Sequence, residues 1–316
     1  MPSSPHIIVG QYSDKGRKPI NQDCCGAAIP KEPQQLSAKG IAVALADGIS
    51  SSEVSHIASK AAIRSFMEDY FCTSDAWSVK KSAQRVLMAT NSWLHAQTQH
   101  SPFRFDYDRG YVCTLSALII KSTTAHLFHV GDSRIYRVHE RQLEQLTNDH
   151  RLRISEEQSY LSRALGINSQ LEIDYRTLPL TDGDLFFLAT DGVYESISPQ
   201  SVCEIVRQHL DDLDTAAKMI VQLAYQQGST DNLTAQLVRV VHLPQQDAKE
   251  IYRQLTELPF PPLLEARMRF DGYKIVRKLH ASNRSHVYLA TDETTDRPVV
   301  IKTPSVEVHE LSLIHI

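Results

Sequence analysis

The sequence has few cysteines and no long apolar run. Its five cysteines form no C-x-x-C pair, which argues against a disulfide framework or a zinc site and for reduced thiols. The apolar runs fall far short of the roughly 18 residues that span a bilayer. The opening residues lack the charged and long hydrophobic parts of a signal peptide. We therefore expect a cytoplasmic protein without a membrane segment.

The sequence also lacks a strong excess of either charge. Lys and Arg number 33 against 37 Asp and Glu, a formal net charge of -4, which gives no electrostatic footprint for a nucleic acid or a membrane surface. Apolar residues make up 42% and charged residues 22%, which excludes a disordered chain. The length of 316 residues has room for one large domain or two.

Short apolar runs of strand length dominate the first 240 residues. Apolar residues at helical spacing predict two amphipathic helices, near residues 54–66 and 79–94. Ser50 and Glu53 fit a capping box, which predicts that the first helix begins directly after Gly48. Helices and strands do not alternate strictly, so we expect sheets covered by helices rather than a parallel fold. The predicted strands lie at residues 41–46, 111–120, 125–130, 135–138, 185–189 and 233–241.

A change of composition near residue 243 divides the chain. Residues 243–270 contain four prolines and a single short predicted helix from Asp247 to Leu258, which is typical of a linker. We therefore predict a first domain at residues 1–242, a proline-containing linker at residues 243–270, and a separate segment at residues 271–316.

Four aspartates mark the ends of predicted strands. Asp47, Asp132 and Asp191 follow apolar runs, and Asp231 precedes one. A plain turn is the alternative for any single Asp-Gly pair, since this dipeptide favours turns. If the strand ends converge, however, the clustered carboxylates repel one another unless a hard divalent cation neutralises them. The set as a whole therefore points to a metal site.

Six motifs in order resemble those of the metal-dependent serine/threonine protein phosphatases of type 2C. They lie at residues 13–23, 44–59, 128–150, 161–166, 183–195 and 229–238, and the resemblance covers residues 6–242. It implies an α+β fold in which two antiparallel sheets pack as a sandwich and helices flank both faces. It also implies a hydrolase that acts on phosphoserine and phosphothreonine in phosphorylated protein substrates.

The same resemblance implies a set of metal ligands. Asp47 matches the carboxylate that bridges two ions, and the carbonyl of Gly48 matches a ligand of the second ion. Asp191 and Asp231 match the ligands that complete the first site. These ligands are oxygens, which favours Mn²⁺ or Mg²⁺.

Two further aspartates belong to this implied set. Asp132, together with Asp191, matches the residues that hold a weaker third ion in bacterial members. Asp23 matches the acidic residue of the first motif, near the metals directly or through water. We thus expect two or three ions, and a bridging water whose pKa the ions lower so that it attacks the phosphoryl group at neutral pH.

The substrate phosphate needs a cationic side chain, and the resemblance implies an arginine shortly before the first acidic motif. Arg17 is our choice. The stretch from Gly16 to Asp23 is one residue shorter than in bacterial members, so Lys18 aligns there as an alternative. A surface charge without a role in binding is the other interpretation of either residue.

Three departures from the family pattern support a competing hypothesis. Gln22 stands where glutamate is frequent, which removes a carboxylate and is expected to weaken the second metal site. Ser50 and Ser51 replace a glycine pair, and Ile49 stands where some members have a histidine that donates a proton. The alternative is therefore a catalytically weak phosphate-binding or regulatory module.

Residues 273–302 carry a second resemblance, to the opening strands of a protein kinase. Lys302 matches the lysine that pairs with the nucleotide phosphates, while His280, Ser282 and Ser285 stand where the phosphate-binding loop has glycines. The chain ends 14 residues after Lys302, without the kinase catalytic motifs. We expect it to be the front part of a bifunctional phosphatase/kinase with a C-terminal kinase domain, unable by itself to phosphorylate.

Overall fold

The computed structural model describes residues 5–139, 141–153, 159–244, 262–282 and 285–304. The chain divides into two compact units, Met1–Asp247 and Ala248–Ile316. In the described part of the chain, no helix is both long enough and apolar enough to cross a bilayer.

The first unit contains twelve strands and six α-helices among its described residues. In chain order they are β1 (His6–Asp14), β2 (Asp23–Ala28), α1 (Pro33–Lys39), β3 (Ile41–Asp47), α2 (Ser55–Cys72), α3 (Val79–Gln99), β4 (Leu115–Lys121), β5 (Thr124–Val130), β6 (Arg134–His139), β7 (Gln142–Gln145), β8 (Arg151–Arg153), β9 (Ser159–Leu161), β10 (Asp174–Pro179), β11 (Leu185–Ala189), α4 (Asp191–Tyr194), α5 (Pro199–Gln208), α6 (Leu213–Gln226) and β12 (Leu233–His242).

Ten of these strands form two antiparallel five-stranded sheets. One sheet has the order β1-β12-β11-β6-β7 and the other has the order β10-β5-β4-β3-β2. The short pair β8-β9 forms a separate ladder in which Arg151 lies opposite Leu161. The six predicted strands are confirmed within a few residues.

Large and small apolar residues alternate along β3, which explains why the two sheets stack and why helices cover them. Ile41, Val43 and Leu45 pack against apolar residues of the other sheet, such as Phe186. The alanines at positions 42, 44 and 46 point the other way, where their small side chains let α2 and α3 approach closely. On the far side, α5 and α6 cover the outer face of the first sheet. The α+β sandwich flanked by helices is thus confirmed.

The capping-box prediction for the first helix is wrong. Helix α2 begins at Ser55, its N-cap is Val54, and no side chain caps it. Ser50 instead turns its hydroxyl toward Asp231, with Oγ to Oδ2 at 3.2 Å. The second helix does have a side-chain cap, because Oγ of Ser78 accepts a hydrogen bond from the Lys81 amide.

The second unit contains a four-stranded antiparallel sheet in the order β13-β14-β15-β16. Its small core is formed by Leu264, Ile275, Tyr288 and Ala290. The strands are β13 (Arg269–Phe270), β14 (Tyr273–Ala281), β15 (Ser285–Asp292) and β16 (Pro298–Pro304). Strand β13 falls inside the stretch predicted as a linker, and the helix predicted from Asp247 to Leu258 lies outside the described residues.

Candidate metal centre

Five aspartates lie where strands of the two sheets begin or end. Asp47 ends β3 and Asp23 begins β2, and the two are direct partners in the β2-β3 ladder. Asp132 follows β5 by two residues, Asp191 follows β11 by two residues, and Asp231 precedes β12 by two residues. Because neighbouring strands are antiparallel, the end of one lies beside the start of the next, and all five aspartates meet at one end of the sandwich.

Burial and neighbouring negative charges raise the pKa of carboxylates in this cluster. Burial raises the pKa of Asp47 well above its ordinary value, and the charges of Asp23, Asp191, Asp132 and Asp231 raise it further. Burial, followed by Asp132 and Asp231, raises the pKa of Asp191 to about 7. Such mutual repulsion disfavours several negative charges unless cations are nearby.

Asp23 is held in place by hydroxyl groups from the other sheet. Its Oδ2 accepts hydrogen bonds from Thr190 at 3.0 Å and Thr234 at 2.7 Å. Its Oδ1 is buried and has no hydrogen-bond partner. Burial raises the pKa of Asp23 to about 6 despite these hydroxyls. A buried acceptor without a donor is costly, and together with four more carboxylates it fits a hard divalent cation.

Lys18 is the nearer of the two basic candidates from the first motif. Its Nζ lies 3.2 Å from Oδ1 of Asp231 and 3.0 Å from Oγ of Ser50. The neighbouring Arg17 places its guanidinium over the ring of Tyr225, 5.2 Å from the centroid. Of these two side chains, Lys18 is therefore the one that contacts the aspartate cluster.

Arg151, which the sequence did not single out, contacts the opposite side of the cluster. Its Nε donates to Oδ2 of Asp132, and a terminal nitrogen donates to Oδ2 of Asp191 at 2.8 Å. The other terminal nitrogen lies 3.1 Å from Oε1 of Glu195. One guanidinium thus joins three carboxylates.

These two cationic side chains contact carboxylates of the aspartate cluster. Among the residues that the structure describes, no group of three or more His, Cys, Asp or Glu is arranged to hold a metal ion. Lys18 contacts an oxygen atom of Asp231, and Arg151 contacts oxygen atoms of Asp132 and Asp191. The donor chemistry fits a divalent cation, and the two cationic side chains supply part of the compensating charge.

The loop after Asp47 is fixed by backbone packing. A side chain at Gly48 would meet the Ser55 carbonyl carbon and oxygen at under 3 Å, so only glycine allows this approach. The buried Gln22 amide donates to the carbonyls of Ile49 and Ser52 at 3.2 and 2.7 Å and to Oγ of Ser55 at 2.6 Å. Gln22 therefore shapes the loop and does not point a ligand at the cluster.

A cleft of about 490 Å³ opens at the cluster. Asp47, Asp132, Asp191 and Arg151 form its polar side, and apolar residues including Val112 and Ile167 form part of the remaining wall. The carboxylates are therefore reachable by a ligand from solvent.

Several residues of the site were missed by sequence reasoning. Thr190 directly precedes Asp191 and Thr234 lies in β12, so their polar side chains in apolar strand ends were a usable signal. Asn232 also contributes, because its Oδ1 accepts a hydrogen bond from the backbone N–H of Gln22 at 2.9 Å and its Nδ2 donates to the Lys15 and Ile20 carbonyls. Arg151 carried no local signal, since its partners are 19 and 40 residues away.

Comparison with known proteins agrees with this geometry. The family model for protein phosphatase 2C matches residues 12–241. The serine/threonine phosphatase stp of Listeria monocytogenes serotype 4b is 29% identical over 252 residues, which cover 72% of this chain and 93% of that protein.

Two solved structures of serine/threonine phosphatases have a similar fold. Stp1 of Staphylococcus aureus, a serine/threonine phosphatase, superposes with a TM-score of 0.65 at 17% identity, covering 77% of this chain and 98% of its own. The catalytic domain of the serine/threonine protein phosphatase PstP, solved in complex with two manganese ions, superposes with a TM-score of 0.60 at 22% identity, covering 75% and 99%.

Proposed function

The chain belongs to the protein phosphatase 2C family, and we propose that its five-aspartate cluster is the centre at which it hydrolyses phosphoserine and phosphothreonine. Protein serine/threonine phosphatase activity is what the family and the named relatives have in common, and the family is metal dependent. The substrates are accordingly phosphorylated proteins. The observation that carries the proposal is the convergence of Asp23, Asp47, Asp132, Asp191 and Asp231 at one end of the sandwich, where burial and the charges of the other four raise the pKa of Asp47.

The residues that would hold the ions are those implied by the family resemblance. Asp47 and the Gly48 carbonyl lie at one strand end, and Asp191 and Asp231 lie across the cluster from the other sheet. Asp23 offers the buried Oδ1 that has no donor. Mn²⁺ or Mg²⁺ suits this all-oxygen set, and when bound such ions supply a nucleophilic water at neutral pH and neutralise charge that develops on the phosphoryl oxygens.

Side chains around the cluster would bind the substrate phosphate and orient one of the aspartates. We propose Lys18, rather than Arg17, as the cation nearest to the substrate phosphate, because Lys18 reaches the cluster while Arg17 stacks on Tyr225. Thr190 and Thr234 orient Asp23 by donating to its Oδ2. Ile49 also lines the cleft. Its side chain has no proton to donate, so we assign it no role in proton transfer.

The second unit supports a further part of the proposal. Residues 273–302 are proposed to be the opening strands of a protein-kinase-like domain. In support, β14, β15 and β16 are consecutive antiparallel strands, and Lys302 lies on β16 opposite Val287.

A cytoplasmic location is proposed from the cysteines, all five of which are unpaired.

The direct test is the release of inorganic phosphate from a phosphothreonine peptide by the full chain. We expect hydrolysis with Mn²⁺, no hydrolysis in excess EDTA, and recovery when Mn²⁺ is restored. Calorimetry in parallel separates the competing binding module, which would bind the phosphopeptide at saturating Mn²⁺ without turnover. Activity that EDTA leaves unchanged would rule out the proposed centre.

A further inference from the structure

Arg151 is built into the acidic cluster by several independent contacts. It lies on β8, paired to Leu161 of β9, so its backbone is fixed by a ladder. Its side chain is 28% exposed and joins Asp132, Asp191 and Glu195. Arginine remains protonated at any pH at which the protein folds. The cluster thus contains one permanent positive charge of its own.

The carboxylates that Arg151 contacts are themselves fixed. Asp132 has a side chain that is 6% exposed, and its carbonyl accepts a hydrogen bond from the Tyr194 hydroxyl at 3.0 Å. The ring of Tyr194 stacks under the guanidinium of Arg134, 3.8 Å from its centroid. Asp191 begins α4 directly after β11. These contacts fix the backbone positions from which the two carboxylates reach Arg151.

A guanidinium that bridges two carboxylates takes the place that a divalent cation would need between them. The two oxygens it uses, Oδ2 of Asp132 and Oδ2 of Asp191, belong to separate strand ends and accept from two different nitrogens of the same guanidinium. A divalent ion placed there would meet a like charge at close range as well as partly neutralised ligands.

We propose that Arg151 competes with a divalent cation for the Asp132–Asp191 pair and keeps that position free of metal. The inference rests on the proposed function, since it concerns ions that this cluster would bind. Divalent cations would then bind on the side of Asp47, Asp23 and Asp231, where Asp191 would contribute its other carboxylate oxygen, Oδ1, because Arg151 uses only Oδ2. The third ion that the family resemblance implies at Asp132 is replaced by a side chain.

The test is the number of Mn²⁺ ions bound per chain. The protein is freed of metal and titrated with Mn²⁺, and free Mn²⁺ is followed by its electron paramagnetic resonance signal. Arg151→Gln should bind one ion more than the wild type. The matched control is Arg163→Gln, which also removes an arginine that pairs with two carboxylates, Glu172 and Asp174, and should leave the number unchanged.

A second variant tests the same proposal without altering Arg151. Asp132→Asn should bind as many ions as the wild type, because Arg151 and not a metal occupies that carboxylate. The double variant Arg151→Gln/Asp132→Asn should lose the extra ion of Arg151→Gln. Thermal unfolding checks that each variant is folded.

The outcomes that overturn the proposal are specific. They are an unchanged ion number in folded Arg151→Gln, an equal gain in Arg163→Gln, or the loss of an ion in Asp132→Asn. Phosphopeptide hydrolysis, measured on the same samples, is a separate readout. A chain that gains the ion but hydrolyses nothing would contradict the proposed function and leave the role of Arg151 intact.

Discussion

The Nζ atom of Lys18 lies 3.2 Å from Oδ1 of Asp231, although the two residues are 213 positions apart in the sequence. Both side chains are about one-third exposed, and ion pairs at such exposure contribute at most about 1 kcal/mol to stability. The pair therefore does more to hold a positive charge beside the aspartate cluster than to stabilise the fold.

Replacement of Lys18 should impair substrate binding more than replacement of Arg17. A hydrogen bond to a charged group contributes about 1.5–3 kcal/mol, so Lys18→Gln should lower kcat/KM for a phosphothreonine peptide by about 10- to 100-fold. Arg17→Gln, which leaves the cluster intact, should change it less than about 2-fold. Steady-state kinetics at saturating Mn²⁺ makes the comparison, and a larger loss in Arg17→Gln would return the phosphate contact to Arg17.

Gln22 should matter for stability and not for metal binding. Gln22→Ala removes three hydrogen bonds to the loop of residues 49–55 and should lower the free energy of unfolding by about 1–3 kcal/mol. Gln22→Glu should cost more, because a carboxylate would face the carbonyls of Ile49 and Ser52 without a proton to donate.

Urea unfolding in EDTA measures the Gln22 effect without a contribution from metal. The control is Gln208→Ala, an exposed position on α5, which should change stability by less than about 0.5 kcal/mol. If Gln22→Glu were instead to raise both stability and Mn²⁺ affinity, the side chain would belong to the metal site and our description of the loop would be wrong.

The metal-free protein should lose stability as the pH rises. The pKa of Asp23 is raised to about 6 in the folded state from an ordinary value of 3.8, so the folded state binds the proton more tightly than the unfolded state. This contribution is fully present below pH 4 and is lost as the pH rises through 6. Between pH 4 and pH 8 it amounts to about 1–3 kcal/mol.

Asp23→Asn isolates this effect, because asparagine mimics the protonated carboxyl and its Oδ1 can still accept from Thr190 and Thr234. Urea unfolding in EDTA at several pH values should give a smaller loss with rising pH than in the wild type. Asp211→Asn, at a fully exposed position, should keep the wild-type slope. Equal slopes for Asp23→Asn and the wild type would show that Asp23 is not protonated in the folded protein.

Much of the fold could be predicted because apolar periodicity and helix caps are visible within short stretches of sequence. Strand β3 alternates large and small apolar residues, and the amphipathic helix α3 begins at its Ser78 cap. Helices α5 and α6 were not predicted, although Ser198 followed by Pro199 is a helix start signal and Ser198 does cap α5. The start of α2 was misplaced because Ser50 does not cap it: the Ser50 hydroxyl contacts Asp231, and the helix begins at Ser55 without a side-chain cap.

The site could be predicted only where its residues flank predicted strands. Asp47, Asp132, Asp191 and Asp231 were identified in this way, whereas Asp23 was implied only by the family resemblance. Arg17 and Lys18 are adjacent, so which one faces the cluster depends on the course of the loop and not on residue type. Arg151 acts through contacts across 19 and 40 residues, and no short pattern records them.

The most direct test of the central claim is the initial rate of phosphothreonine-peptide hydrolysis as a function of Mn²⁺ concentration, for the wild-type chain and for Asp191→Asn. Asp191 contributes a carboxylate from the opposite sheet to Asp47, so its loss should remove a metal ligand without altering the Asp23–Asp47 ladder. We expect a saturable, EDTA-reversible rise for the wild type and a rate at least 100-fold lower, or half-saturation at a far higher Mn²⁺ concentration, for Asp191→Asn, an order of magnitude typical of losing a group that acts in the transition state. Identical curves for the two proteins, or a rate independent of Mn²⁺, would contradict the assignment of this cluster as the catalytic metal centre.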